Sequence, residues 1–141
     1  MKNLILMLPL MALASCADAQ KVKEADVPAP AKEQFQKLYP GISAKWEKEN
    51  GNYEAEFEVK EVETTVVFDT KGILLETEKE IALTELPQNT KDYLAKNKAG
   101  EKIKEAALII DASGKKTYEA EVKGVDLLFD ENGNFIKAEK D

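Results

Sequence analysis

The chain has no histidine and no arginine, and its single cysteine is Cys16. Without histidine, and without a thiol in the folded part, it lacks the usual general base, the thiol nucleophile and the commonest transition-metal ligand. Ser43 and Ser113 have no histidine to activate them, and no glycine pattern of a nucleophile elbow surrounds them. No enzyme chemistry and no cofactor are expected. The missing arginine, with a net charge of -7, argues against nucleic acid, which requires a basic footprint. It argues equally against anionic lipid headgroups as partners of the folded part. One cysteine cannot make an internal disulfide, so stability has to come from a packed core. A hydrophobic content of 43% makes such a core feasible.

Long apolar stretches are also scarce. The run Leu4 to Leu13 is too short for a stable membrane span. Preceded by Lys2 and followed by small residues, it reads as a secretory signal peptide, placed over residues 1–19. Leu13-Ala14-Ser15-Cys16 fits a lipobox, which would make Cys16 the lipidated first residue of a lipoprotein. Ala17-Asp18-Ala19 fits an ordinary signal-peptidase site, which would discard Cys16. The lipobox is the favoured reading, because the chain's one cysteine falls where the motif requires it. Membrane attachment is then expected only through lipid. Residues 20–27 are polar and without period, and read as a tether.

What the chain has in abundance is internal repetition. Tyr53-Glu54-Ala55-Glu56-Phe57-Glu58 returns as Tyr118-Glu119-Ala120-Glu121-Val122-Lys123. Phe68-Asp69-Thr70-Lys71-Gly72 returns as Phe129-Asp130-Glu131-Asn132-Gly133, and Val27-Pro28 as Leu86-Pro87. Alternation of apolar and polar residues predicts strands with one buried face. The proline pairs predict helix starts, with Ala31, Phe35, Leu38 and Tyr39 forming the apolar stripe of the first helix. Further strands are predicted at Ile42–Glu47, Tyr53–Val59, Val62–Phe68, Ile73–Ile81, Ile103–Ile110, Tyr118–Val122, Val125–Phe129 and Phe135–Ala138. A second helix is expected over Gln88–Asn97. The second copy is expected to have a longer first hairpin and a shorter middle turn. The predicted fold is α+β: two tandem units, 28–83 and 84–141, each a helix followed by about four strands. Together they would form one continuous antiparallel sheet of about eight strands with two helices on one face, because half the chain alone would have a marginal core.

Trp46 through Phe57, Phe68-Asp69 before a glycine turn, the two proline pairs and Leu128 through Gly133 resemble the PepSY-like family of small exported bacterial proteins. The resemblance covers nearly all of the chain beyond the signal peptide. It implies an architecture similar to the β-lactamase inhibitory protein, with an open sheet face. It also implies a periplasmic or outer-membrane binding module of a Bacteroides-like bacterium, one version of which inhibits an exported enzyme. The second copy departs from the first by carrying Lys104-Glu105-Ala106-Ala107 where the first has its tryptophan strand.

For partner binding the candidates are Trp46, Glu54, Glu56, Glu58, Glu119 and Glu121. Trp46, beside Tyr53 at the first hairpin, is either core or an aromatic contact patch. The glutamates are expected on the open face, either as a solvated surface or as an acidic dock for a basic protein partner of a monomeric chain. Carboxylates spaced along a strand are what any wet strand presents, so glycoside chemistry is not inferred from them. Asp130-Glu131-Asn132-Gly133-Asn134 invites a calcium reading, but Phe135 stands where a calcium loop needs glycine, and a hairpin turn explains it better. The alternative to a protein-binding module is a periplasmic carrier of a small ligand or cation, held between helix and sheet.

Overall fold

Each run of period-two alternation becomes a strand of one sheet. The computed structural model describes residues 19–140. Residues 1–18 of the expected signal peptide, with the lipidation candidate Cys16, lie outside the described residues. The strands are β1 (Gln20–Val22), β2 (Lys45–Glu49), β3 (Asn52–Val59), β4 (Val62–Phe68), β5 (Leu74–Glu80), β6 (Ile103–Asp111), β7 (Lys116–Val122), β8 (Val125–Phe129) and β9 (Phe135–Lys140). All neighbours are antiparallel and the spatial order is the chain order, β1 to β9. Helix α1 (Ala29–Leu38) lies between β1 and β2 in the chain, and α2 (Gln88–Asn97) between β5 and β6. The two units join through the β5–β6 pairing into a continuous sheet.

The helices begin where their prolines permit. Pro28 and Pro87 hold the N-cap positions, and Pro30 sits in the first turn of α1, where a missing N–H costs nothing. Ala31 and Phe35 are the buried residues of α1, with Val27 just before it; they pack on Trp46, Tyr53, Ala55, Phe57, Val66 and Phe68. Phe35 meets Trp46 and Phe57 edge-on, at centroid distances of 5.4 and 5.1 Å. In the second unit Leu86 and Leu94 pack on Ala106, Ala120, Val122, Leu127 and Phe129. The duplication is visible in register: Tyr53 faces Phe68 across β3–β4, and Tyr118 faces Phe129 across β7–β8.

Several expectations need correction. Residues 20–27 are not a featureless tether, because Gln20–Val22 pairs with β2 as a ninth strand, a 3-10 turn spans Glu24–Asp26, and Val27 is core. Strand β1 carries only one partly buried apolar residue, Val22, too little to produce a periodic signal. Leu38 is exposed, since the helix stripe turns past the sheet at its last residue. The two middle turns have equal length: Lys60-Glu61 and Lys123-Gly124 each place both residues at positive φ, the backbone of a two-residue hairpin. What shortens in the second copy is the arms, from eight and seven residues in β3 and β4 to seven and five in β7 and β8.

The hairpin turns after β4, β6 and β8 are one motif used three times, Asp-x-x-Gly-x. In each, the glycine N–H donates to the aspartate carbonyl, from Gly72 to Asp69, Gly114 to Asp111 and Gly133 to Asp130. Each aspartate carboxylate also accepts two backbone N–H groups further along its turn. Two of these turns dock on helix starts. A Cβ at Gly72 would stand 2.5 Å from the Pro30 carbonyl oxygen, and one at Gly133 2.7 Å from Pro87 Cβ. Thr90 Oγ1, fully buried, donates to the Gly133 carbonyl, completing the second contact.

Candidate functional site on the uncovered sheet face

Both helices pack on the face that carries Tyr53, Ala55, Phe57, Tyr118, Ala120 and Val122. Among the described residues no element lies over the other face. Register sets its residues in rows. One row runs Glu47, Glu54, Val67, Glu76, Asp111 across β2 to β6. The next runs Lys45, Glu56, Thr65, Glu78, Ile109, Thr117 across β2 to β7. Further along, Ala107, Glu119, Leu128 and Lys137 align across β6 to β9, and Glu121 faces Asp126.

This face is not the uniformly wet surface that alternation alone implies. Val67, Ala107, Ile109 and Leu128 are buried on it, and Ile109 packs with Leu128. Glu54 and Glu76 are only 6% and 5% exposed, and Asp126 is buried too. Burial, then the charges of Glu49, Glu47 and Glu78, pushes the Glu54 carboxyl up to about 7. Burial, then Glu78, Glu54 and Asp111, pushes Glu76 up to about 8. Burial, then Glu105 and Glu63, pushes Glu78 up to about 7. Glu105 is raised by its burial and by Glu80 and Glu63.

Three lysines of this face neutralise other carboxylates, and a fourth, Lys21, stands opposite Glu47 at the β1 edge. Lys45 pairs with Glu56 at 3.2 Å and Lys104 with Glu121 at 2.8 Å, and Lys137 pairs with Glu139. Among the described residues, none of these pairs includes Glu54, Glu76 or Glu78. The centre of the face is therefore a set of desolvated, like-charged carboxyls around Val67, with the paired lysines set around it.

Of the partner-binding candidates, the structure brings Glu54, Glu56, Glu58, Glu119 and Glu121 to this face and leaves Trp46 out. Trp46 is 4% exposed and packs in the core against Phe35, with Phe68 at 6.3 Å, so it offers no contact patch. Glu58 is exposed, Glu56, Glu119 and Glu121 are partly covered, and Glu54 is buried, so the row spans every degree of exposure. The sequence reading missed Glu76, Glu78 and Asp126. The signal existed in the alternation of Leu74–Glu80, but the strand order that sets Glu76 beside Glu54 is long-range information.

The aspartate turns do chemistry of a different kind. Asp130 spends its Oδ1 on Asn132 and Asn134 N–H and its Oδ2 on the Asn134 amide. The Asn134 bonds hold its carboxyl below the usual range, as the Ser113 hydroxyl does for Asp111. Among the described residues no group of three or more acidic, histidine or cysteine side chains is arranged to hold a metal ion. On the helix side, a groove of about 470 Å³ opens along α2, lined by Leu83, Leu86, Leu94 and Ile103 with Lys91 and Lys98.

The fold is shared with solved structures. A protein of Bacteroides eggerthii named as a "putative periplasmic" protein superposes with a TM-score of 0.74 at 15% identity, covering 81% of this chain and 88% of that one. A DUF2874 family protein of Bacteroides uniformis gives 0.72 at 20% identity, covering 80% and 88%. A BLIP-like protein of Bacteroides fragilis gives 0.62 at 22%, covering 80% and 86%. No curated protein matches the chain. The repeated motifs, the tandem helix-and-sheet units and the open face agree with a family model matched at residues 15–76 and again at 51–137: the chain belongs to the family described as "Putative beta-lactamase-inhibitor-like, PepSY-like".

Proposed function

We propose that this protein is a non-catalytic binding module of the bacterial envelope that meets another protein through the uncovered face of its sheet. The observation that carries the reading is that this face, although no described element covers it, has a buried centre of Val67, Ile109 and Leu128 set among carboxyls. An uncovered face with charge mainly of one sign is suited to steer and orient a partner of the opposite charge. A carboxyl poised near neutrality is a competent general acid, but no histidine accompanies it, and the groove described above lies on the helix side. Export to the periplasm is part of the proposal, supported by the sequence of the first nineteen residues and by the names of the structural relatives. So is a lipid on Cys16, which mass spectrometry of the native amino terminus tests directly. Inhibition of an exported enzyme is one form this binding would take.

The test is site-specific photo-crosslinking in intact cells. A crosslinker at Thr65 or Thr117, on the uncovered face, is expected to capture one discrete protein. The same crosslinker at Lys37 or Lys96, on the helices, is expected to capture none. Capture from the helices alone would contradict the proposal and favour the groove along α2, and with it a ligand carrier.

A further inference from the structure

We propose that Glu54 and Glu76, with Val67 between them and Glu78 beside them, form a receptor for one cationic side chain, arginine or lysine, presented by a polypeptide partner. The inference rests on the open-face reading above and specifies what that face recognises.

Three observations carry it. First, Glu54 and Glu76 are each more than nine-tenths buried on the uncovered face, yet among the described residues neither side chain makes a hydrogen bond or ion pair, and their carboxylate oxygens still reach the surface. Buried carboxyls are normally satisfied, and those left without donors are poised to take them from outside. Second, the charges that act on them are of one sign: Glu47 and Glu49 from β2, Glu78 from β5 and Asp111 from β6, with Glu63 and Glu105 acting on Glu78. Of the lysines of the face, Lys45, Lys104 and Lys137 are engaged by Glu56, Glu121 and Glu139, and Lys21 lies opposite Glu47 at the β1 end of the row. Third, Val67 lies in the same row between the two carboxyls, giving the aliphatic stem of a long cationic side chain an apolar floor. A guanidinium supplies several donors in a fixed fork, and an ammonium supplies three. Nucleic acid and anionic membranes are repelled by such a site.

The receptor is coupled to protons. At neutral pH the carboxyls hold part of their protons, and a cation seated between them favours the ionised form, so binding expels protons. All the neighbours that perturb these carboxyls are acids, so affinity rises with pH through the neutral range.

The probe is the peptide acetyl-Gly-Arg-Gly-amide, with acetyl-Gly-Gln-Gly-amide as control, titrated into the exported protein and followed by NMR. The arginine peptide is expected to shift resonances of Glu54, Val67 and Glu76, and the glutamine peptide to leave them in place. Affinity should rise at least about fivefold from about pH 6 to about pH 8.5. Glu54→Gln and Glu76→Gln should each weaken binding about tenfold, and Glu78→Gln less, while Glu33→Gln, exposed on α1, stays within about twofold. Glutamine is close to isosteric, and spectra of each variant without peptide report its fold. An equal response to both peptides, or wild-type affinity in both Glu54→Gln and Glu76→Gln, would overturn the receptor. Shifts scattered over the open face without centring on Val67 would overturn it too, leaving the open-face reading intact. Shifts confined to the helix side would overturn both. Saturation of the same resonances by calcium but not by the arginine peptide would assign the cluster to a metal ion instead.

Discussion

Glu54 and Glu76 stand on either side of Val67 in a single row across β3, β4 and β5, both almost wholly buried, and the charge of Glu54 raises the affinity of Glu76 for a proton. Two carboxyls so placed oppose folding when both are ionised. Replacing one by glutamine removes a buried charge while keeping the shape. Glu76→Gln should therefore raise the unfolding free energy by about 1–3 kcal/mol at about pH 8, measured by urea denaturation.

The same pair sets the direction of the pH dependence. In the folded state Glu76 titrates at about 8 and Glu54 at about 7, against an ordinary value of 4.5. Below 4.5 both states are protonated and these groups contribute nothing. Between 4.5 and about 8 the folded state binds more protons than the unfolded one, so stability falls as pH rises. Thermal melts are expected to show a higher Tm at about pH 5 than at about pH 8. Glu76→Gln should flatten this slope, and an unchanged slope in that variant would place the pH dependence elsewhere.

The strands, helices and doubling of this fold are legible in the sequence because each is a local signal. Val62–Phe68, Gln88–Asn97 and Val125–Phe129 fall where apolar periodicity and proline place them. Strand β1 was illegible, being three residues held by pairing with β2 rather than by a pattern of its own. The site was half legible. Alternation assigns Glu54 to the face away from the helices, but it cannot say that Val67 stands beside it across β3–β4 or that the glutamate is buried there. Glu76 joins Glu54 only once β4 is known to separate them. Trp46 follows the same logic in reverse, because its register partner Ala55 belongs to the helix-covered face.

Docking of the aspartate turns on the helix starts is testable at two glycines with the same backbone. Gly114 and Gly133 have φ of 83° and 81°, but a Cβ at Gly114 meets nothing within 4 Å, while one at Gly133 would come 2.8 Å from Thr90 Oγ1. Gly114→Ala should cost about 1 kcal/mol, the strain of a left-handed alanine. Gly133→Ala should cost about 2–4 kcal/mol, because overpacking adds to that strain. Equal costs would show that the turn does not brace α2.

The turn between β3 and β4 is strained in the opposite sense. Lys60 and Glu61 hold φ of 52° and 65° without a glycine, whereas the matching turn in the second unit has Gly124. Changing Lys60-Glu61 to Asn-Gly should stabilise the protein by about 1 kcal/mol, read as a shift in denaturation midpoint without a change of slope.

The receptor rests on desolvated carboxyls at the centre of the uncovered face, which keep their protons near neutrality. NMR titration of the glutamate side-chain carboxyl carbons measures this residue by residue. The prediction is that Glu76 titrates at about 8 and Glu54 and Glu78 at about 7. Titration of Glu54 and Glu76 near the ordinary 4.5 would contradict it, and would make the face a solvated surface with no receptor at its centre.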